Sequence, residues 1–449
     1  SYVRNFSSEK WSIFNTAMEY YLNERITPAP PPFNIWGLSN EETANLALMK
    51  QSLAEILADP PDREILLDVI KAKCTYLFAF LQSELDRESF EEFVDNYLES
   101  REFEDISVKE FLGEFKTRFG LDPESHFDYW LHEKKLPAFI ITGVENNKVL
   151  DQEQTRYQVR FKVSNPEPVD GVIKVYFRTE RGRGGERMMM FGPAPDQENT
   201  RIINVKAGQN KEIGIVLDER PRAMLIDTYI SQNLPSVLEN RLPEAELDEN
   251  AEPFEGENVI DIIPPLIEQG SIVVDNEDPG FKVLSSESDS YLKNFFNLSG
   301  NDKDEYIGMQ PWNIPKCWRA TTYSGFYGKY RHSAQYISSG SGENKVSWQA
   351  DLPASGWYDV FCYAAELRGP WRWGGRRGRR GESPAQDFNF IVYHDDGAEA
   401  VKLDANSANE GWNLLGTFYF SKGTAKIELS DRTKGRLVYA DAIKWRSQK

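Results

Sequence analysis

The spacing of apolar residues indicates helices in the first third of the chain. Apolar positions recur every three or four residues over 65–81 and 90–98, which is the period of an amphipathic helix. Ser39–Glu42 and Ser107–Glu110 each pair a serine with a glutamate three residues later, the pattern of a capping box at a helix start. These features predict a helical domain over residues 1–137.

The period of the apolar positions changes to two after Pro137. Apolar and polar residues alternate over 157–163, 172–177 and 202–205, with turn residues between these segments. Alternation of this kind is typical of strands that bury one face of a sheet. The pattern predicts an immunoglobulin-like β-sandwich over residues 138–232.

A second strand-rich region follows residue 271. Its apolar segments are short, rich in aromatic residues and separated by Gly, Asp and Asn, as expected for a jelly-roll-like sandwich over 271–449. The fold class is therefore multidomain α+β, with a helical N-terminal region followed by two β-sandwich domains. The predicted strands lie near Val346–Trp348, Tyr358–Ala364, Phe388–Tyr393, Trp412–Phe420, Ala425–Leu429 and Tyr439–Trp445.

The net negative charge of the chain is concentrated outside the predicted sandwiches. The 449 residues carry a net charge of −19, and residues 233–270 contain ten acidic side chains against one basic side chain. We interpret 233–270 as an acidic linker with little core of its own. The overall acidity argues against nucleic acid as a partner, because binding to phosphates requires a positive surface. No apolar run approaches the roughly 18 residues of a membrane span, and the opening Ser-Tyr-Val-Arg suggests that further domains lie upstream.

The last region resembles the golvesin and xanthan-lyase carbohydrate-binding-like domain. This resemblance implies a β-sandwich, a polysaccharide ligand and an extracytoplasmic location (periplasmic, cell-surface or secreted) in a bacterium. Two stretches, 282–317 and 366–386, depart from the family pattern as insertions. The resemblance is carried by Ile272–Phe281, Tyr327–Arg331, Gly340–Val346, Leu352–Val360, Val392–Gly397, Trp412–Phe418 and Val438–Ile443.

Residues 70–230 resemble the helical and β-sandwich tail that follows the catalytic domain of gluzincin-type zinc aminopeptidases. The similarity lies in Phe80–Glu84, Phe90–Tyr97, Phe111–Phe119 and Phe127–Leu131. A zinc site of this class needs two histidines at i and i+4 with a glutamate between them.

The His132–Lys135 stretch begins like that zinc motif, but Leu136 replaces the second histidine and Pro137 would end the helix. The sequence also lacks a nucleophile elbow and a phosphate-binding loop. We therefore predict no catalytic residues, no metal ligands and no cofactor in this chain.

The segment Arg368–Arg380 contains six arginines and two tryptophans in thirteen residues. Tryptophan rings offer flat apolar faces to sugars, and arginines hold carboxylates through paired N–H donors. An acidic polysaccharide would suit both residue types. The alternatives are a structural contact with the acidic stretch 239–261 or the helical domain, a solvated loop, and RGG-like binding of nucleic acid, which the overall acidity disfavours. The predicted ligand-binding residues are Trp371, Arg372, Trp373, Arg376, Arg377, Arg379 and Arg380.

Three smaller features carry weaker hypotheses. Asp275, Glu277 and Asp278 are close enough in sequence to supply oxygen ligands to calcium, although such acids more often cap a solvated turn. A disulfide between Cys317 and Cys362 is conceivable. Three tryptophans of the last domain lie within strand patterns and are predicted to be core residues: Trp357, Trp412 and Trp445.

These observations predict a non-catalytic accessory region that binds polysaccharide through its C-terminal domain. One alternative is the C-terminal part of a zinc aminopeptidase-like or xanthan-lyase-like enzyme whose catalytic residues lie outside this chain. Another is an assembly module with no sugar ligand.

Overall fold

The chain forms two compact units. The N-terminal unit comprises Ser1–Phe33 and Ser39–Pro264, and the C-terminal unit comprises Asn34–Leu38 and Pro265–Lys449. Among the described residues, no helix is both long and apolar enough to cross a membrane. The computed structural model describes residues 5–8, 10–11, 13–26, 37–85, 87–101, 105–151, 154–179, 199–247, 252–261, 263, 267–284, 306–310, 313–367 and 384–448.

The helices lie in the first part of the N-terminal unit, as the period of the apolar residues predicts. Their packed core is rich in aromatic rings, and Phe78, Phe90 and Phe115 are almost completely buried. The short strands β1 (Asn5–Ser7) and β2 (Asp105–Ser107) form a parallel pair beside them. The helices are α1 (Phe14–Ile26), α2 (Asn40–Leu48), α3 (Leu53–Ala58), α4 (Arg63–Ser83), α5 (Arg87–Glu99), α6 (Val108–Phe119) and α7 (Pro123–His132).

Side-chain caps determine where two of these helices begin. The predicted capping box at Ser39 is confirmed, because Ser39 Oγ accepts from the Glu42 amide at 3.1 Å and Glu42 Oε2 accepts from the Ser39 amide at 2.7 Å. A second box at Ser52 begins α3 and was not predicted. The predicted box at Ser107 is wrong in its cap bond, since Ser107 also ends strand β2 and its side chain makes no cap hydrogen bond.

A β-sandwich follows the helices within the same unit. Its two sheets have the strand orders β10-β3-β4-β7-β11 and β6-β5-β8-β9, and side chains from both sheets, such as Phe161 and Phe177, share one core. The three segments with period two all become strands. The strands are β3 (Ile140–Asp151), β4 (Gln154–Ser164), β5 (Gly171–Thr179), β6 (Arg201–Val205), β7 (Asn210–Leu217), β8 (Pro221–Asp227), β9 (Val237–Arg241), β10 (Glu246–Leu247) and β11 (Gly256–Val259).

The stretch interpreted as an acidic linker supplies β9, β10 and β11 to these sheets. Its few apolar residues explain the difference. Leu238 is buried in the sandwich core, and the Phe254 ring lies against Gly214, where a Cβ atom would come within 2.3 Å of it. Carboxylates of the stretch also pair with the sandwich: Glu239 with Arg178 and Glu255 with Arg201, both at 2.9 Å. High charge here therefore does not prevent strand formation, because the charges find partners on strands of the sandwich.

The C-terminal unit contains three sheets around a core that includes Trp348 and Trp445. Their strand orders are β12-β23-β17-β20, β13-β16-β21-β18-β19 and β14-β15-β22. The β-rich, sandwich-like character of this region is confirmed, whereas the immunoglobulin-like and jelly-roll-like assignments stay predictions. The strands are β12 (Ser271–Val274), β13 (Phe281–Leu284), β14 (Arg319–Thr322), β15 (Ser333–Ser338), β16 (Lys345–Leu352), β17 (Gly356–Ala364), β18 (Asp387–His394), β19 (Gly397–Asp404), β20 (Gly411–Phe420), β21 (Gly423–Ser430), β22 (Leu437–Ala440) and β23 (Ile443–Ser447).

The predicted strand Tyr439–Trp445 is divided in two at Asp441. Strand β22 pairs with β15, whereas β23 pairs with β12 and β17 in another sheet. The chain thus passes from one sheet to another within two residues. Asp441 is buried at this junction, where its carbonyl oxygen accepts from Trp348 Nε1 at 2.9 Å.

Candidate functional site

Strand β17 has one buried side and one outward side. Its residues Tyr358, Val360 and Cys362 point into the core. The intervening residues share the opposite side of the sheet, because successive side chains of a strand alternate in direction. Those outward residues are Trp357, Asp359, Phe361 and Tyr363.

Strand β20 places further aromatic side chains beside them. Tyr419 is the register partner of Trp357, and Trp412 is the partner of Tyr363. Trp412 and Tyr419 are an odd number of residues apart, which would place them on opposite faces of a regular strand. A β-bulge opposite Val360–Phe361 shifts the register by one residue and brings both side chains to the same face. We call the resulting surface the aromatic face; it consists of Trp357, Phe361, Tyr363, Trp412 and Tyr419.

The two ends of the aromatic face differ in exposure. At one end, Trp357 and Tyr419 meet edge to face with ring centroids 5.7 Å apart, and Trp357 is 52% exposed. At the other end, Tyr363 and Trp412 are in contact at 5.2 Å, and Tyr327 packs within 5.4 Å of both rings. Trp357 and Tyr363 are six residues apart on one strand, so the face extends about 20 Å.

Hydrogen-bonding groups lie between these aromatic ends. Asp359 accepts from Thr417 Oγ1 at 2.7 Å, from Gln448 Nε2 at 2.7 Å and from Arg446 Nη2 at 3.1 Å. These bonds, with the Thr417 hydroxyl first, lower the pKa of Asp359. The centre of the aromatic face therefore carries an ionised carboxylate held in place by donors from strand β20 and from the chain end.

Two cations accompany the rings. Lys444 Nζ lies 4.8 Å from the Phe361 centroid and 4.7 Å from the Trp412 centroid, while the Arg446 guanidinium lies 4.8 Å from Phe361. Burial lowers the pKa of Lys444, and the nearby carboxylate of Glu268 opposes that shift. The face thus combines apolar rings with groups of both charge signs.

Buried acids support the inner end of the aromatic face. Asp441 Oδ2 accepts from the Tyr327 amide at 3.0 Å, which fixes the ring that packs on Tyr363 and Trp412. Asp441 Oδ1 finds no donor among the described residues. Burial raises the pKa of Asp441 well above its usual range, and the charge of Asp275 adds to the shift.

The acids considered as calcium ligands form a hydrogen-bonded turn. Asp278 Oδ2 accepts from the Asp275 amide at 2.8 Å, and Glu277 accepts from the hydroxyls of Tyr306 and Ser333. Within the described part of the chain, no group of three or more His, Cys, Asp or Glu side chains is placed to hold a metal ion. These contacts are those of a capped turn.

The ligand-binding residues predicted from sequence lie outside the described residues. They are Trp371, Arg372, Trp373, Arg376, Arg377, Arg379 and Arg380. The described residues on either side are well packed: Leu367 is buried, and Pro384 accepts from the Arg436 amide at 2.7 Å. The chain leaves the sheet after β17, at the end of the strand that carries Tyr363.

Sequence reasoning missed the aromatic face because it assigned Trp357 and Trp412 to the core together with Trp445. Trp445 is fully buried, as predicted, but the prediction for Trp357 is wrong. The alternation of side chains along β17 contains the signal that places Trp357 outside. Asp359 lies two residues from Trp357 and therefore on the same side, and its charge marks that side as solvent-facing. Trp412 could not be assigned in this way, because the β-bulge breaks the alternation.

The structure also shows where the residues of the zinc-like stretch and of the considered disulfide lie. Helix α7 ends at His132, so Glu133 lies beyond the helix and Leu136 is a core residue. Both Cys317 and Cys362 are free thiols, which excludes the bridge considered between them.

Comparison with known proteins matches part of the C-terminal unit to a family. Residues 376–447 match the Golvesin C-terminal domain. That Golvesin C-terminal segment includes strands β18 to β23, and so contains Trp412, Tyr419 and the cations Lys444 and Arg446, whereas β17 with Trp357 precedes it. The sequence resemblance noted for this region is thereby confirmed, while that of residues 70–230 to aminopeptidases stays a prediction.

Solved structures are similar to this chain only at low sequence identity and low TM-score. A Paenibacillus xanthan lyase is 17% identical with a TM-score of 0.28, and the match covers 70% of this chain but only 27% of that chain. A family 35 carbohydrate-binding module from Clostridium thermocellum is 9% identical with a TM-score of 0.23, covering 39% of this chain and 98% of that chain. An exo-β-1,3-galactanase from Phanerochaete chrysosporium is 9% identical with a TM-score of 0.24, covering 67% of this chain and 68% of that chain. No curated protein matches.

Proposed function

We propose that the C-terminal unit binds polysaccharide and that the aromatic face is its binding surface. The single observation that carries this proposal is the exposure of Trp357 beside Tyr419 on an outward sheet face that also holds fixed polar groups. Adjacent exposed aromatic rings on one sheet face are typical of ligand-binding surfaces, and a sugar ring offers an apolar C–H face that would cover them. The match of residues 376–447 to the Golvesin C-terminal domain also supports the proposal.

The polar groups of the face suit the rest of a sugar. Hydroxyl groups can accept from Arg446 and Gln448 and donate to Asp359, all of which stand between the two aromatic ends. A face of about 20 Å suits an extended chain better than a single sugar. In this proposal the protein is a non-catalytic accessory region of a bacterial envelope or secreted protein, and it carries polysaccharide to, or holds it near, other domains.

Replacing Trp357 with alanine is expected to weaken binding of the full chain to its glycan about tenfold, because the most exposed aromatic anchor of the face is lost. A glycan array followed by titration with the best-bound polysaccharide measures this loss. The matched control is Val283→Ala, which removes an equally exposed apolar side chain from strand β13 of another sheet. Equal binding by Trp357→Ala and wild type would contradict the aromatic face as the binding surface. An array without signal would contradict polysaccharide binding by this chain.

We also propose that the arginine-rich segment Arg368–Arg380 contributes to binding an acidic polysaccharide. Replacing both Trp371 and Trp373 with alanine is expected to lower affinity for an acidic glycan several-fold, and the arginine contribution is expected to fall as salt rises. Titration of a uronic-acid polymer and of a neutral polymer at two salt concentrations measures both effects. A loss of equal size for the two polymers, independent of salt, would contradict the acidic preference.

A further inference from the structure

The N-terminal unit contains a cavity of about 400 Å³ that the proposed polysaccharide site does not use. It lies where helices α4 and α7 meet the loop between β4 and β5. Apolar side chains form much of its wall, among them Leu77, Phe80, Trp130, Val169 and Ile230. This volume is in the range of small-molecule sites. We call it the Lys73 cavity, after the buried lysine on its wall.

Lys73 has unused donors. Its side chain lies on α4 and is only 4% exposed, and Nζ donates to the Trp130 carbonyl at 2.9 Å. An ammonium group has three N–H donors, so two remain for another acceptor. No carboxylate among the described residues lies within salt-bridge distance of Lys73. A buried ammonium in this situation is costly without a further acceptor, since a charge removed from water needs compensation.

Burial lowers the pKa of Lys73 to about 8, and the charge of Glu133 partly opposes this shift. The amine therefore stays mainly protonated at neutral pH. It has not been neutralised by its surroundings, so an anionic acceptor would gain a full charge interaction.

The acids that line the cavity are already engaged by their own chain. Glu133 Oε1 accepts from the Lys135 amide at 2.7 Å, and Asp170 Oδ1 accepts from the Ala207 amide at 2.8 Å. The Tyr76 hydroxyl is likewise used, since it donates to the Asp170 carbonyl at 3.3 Å. Each acid keeps a second oxygen, so the wall offers acceptors as well as the free donors of Lys73. Lys135 adds a second cation to the lining.

We propose that the Lys73 cavity binds a small monocarboxylic acid with an apolar body. The carboxylate accepts from Lys73, and the apolar body packs against Leu77, Phe80 and Val169. A single carboxylate suits the site better than a di- or triacid, because Glu133 and Asp170 would repel further negative charge.

The test is a titration of the full chain with 3-phenylpropionate, followed by calorimetry, in parallel with the neutral analogue 3-phenylpropanamide. The acid is expected to bind at least tenfold more tightly than the amide, the size of one charge-assisted hydrogen bond. Lys73→Met is expected to reduce the affinity for the acid to that for the amide. The matched control is Lys134→Met, which removes a nearby cation that pairs with Glu55 at 2.6 Å and does not line the cavity.

Hydrogen exchange of the wild-type chain locates the ligand even if Lys73→Met does not fold. Bound 3-phenylpropionate is expected to slow exchange in peptides covering 73–80 and 126–136. Equal affinity for acid and amide, unchanged binding in Lys73→Met, protection elsewhere in the chain, or no saturable binding would each overturn the proposal. None of these outcomes bears on the polysaccharide site, since Trp357→Ala is tested separately.

Discussion

Replacing Asn233 with alanine is expected to lower the free energy of unfolding of the N-terminal unit by about 3 kcal/mol. Asn233 is completely buried, and its amide acts as a strand partner for Phe139: Oδ1 accepts from the Phe139 amide and Nδ2 donates to the Phe139 carbonyl, both at 2.8 Å. Alanine would leave two buried backbone groups without partners. Each unsatisfied group costs about 1–3 kcal/mol.

Urea unfolding followed by hydrogen-exchange mass spectrometry measures this effect, because it reports on the N-terminal unit separately from the C-terminal unit. Asn258→Ala is the matched control, since it removes the same amide from an exposed position on strand β11, and it should change stability by less than about 0.5 kcal/mol. A loss below about 1 kcal/mol for Asn233→Ala would show that water replaces the lost amide.

The contact of Asn233 with Phe139 is of a kind that the sequence does not predict. Helices and strands with strong periodicity were predicted, because burial of one face imposes a period of 3.6 or 2 on the sequence itself. Asn233 contacts a residue 94 positions earlier, and nothing in its neighbourhood marks that partner. Asn165 is similar: its buried Nδ2 donates to the carbonyls of Val169 and Val205, one near in sequence and one distant.

The acidic stretch illustrates a second limit. Its composition indicates solvation, yet Leu238 and Phe254 pack against the sandwich. Strand formation there depends on free backbone groups at β3 and β7, which a local pattern does not contain. The charge of the side chains does not predict which strands the backbone of the stretch pairs with.

The candidate site was predicted only at the level of the domain that carries it. The alternation along β17, with charged Asp359 on the same side as Trp357, is enough to place Trp357 on the solvent side. Trp412 and Tyr419 required the β-bulge, and Tyr327 required the contact with Asp441 from the other end of the domain. The arginine-rich segment is distinctive in composition, and composition indicates chemistry but not position in the fold.

Asp441 connects the core of the C-terminal unit to the aromatic face, and it makes the stability of that unit depend on pH. Burial raises the pKa of Asp275 to about 8, with the charges of Glu277 and Asp278 adding to it, and the pKa of Asp441 is also strongly raised. In the unfolded chain both acids ionise near pH 4. Between about pH 4 and pH 8 the folded state therefore holds more protons than the unfolded state, so stability falls as pH rises.

Asp441→Asn is expected to raise the free energy of unfolding of the C-terminal unit at pH 8 by about 2 kcal/mol and to leave it nearly unchanged at pH 4.5. Asparagine keeps an oxygen for the Tyr327 amide but has no proton to lose. Urea unfolding of the C-terminal unit at pH 4.5, 6 and 8 measures the change. Asp351→Asn, an exposed acid on β16, is the control and should keep the wild-type slope. If Asp441→Asn also keeps that slope, Asp441 is ionised in the folded protein, and its unpaired Oδ1 must then be compensated by a group from outside the chain.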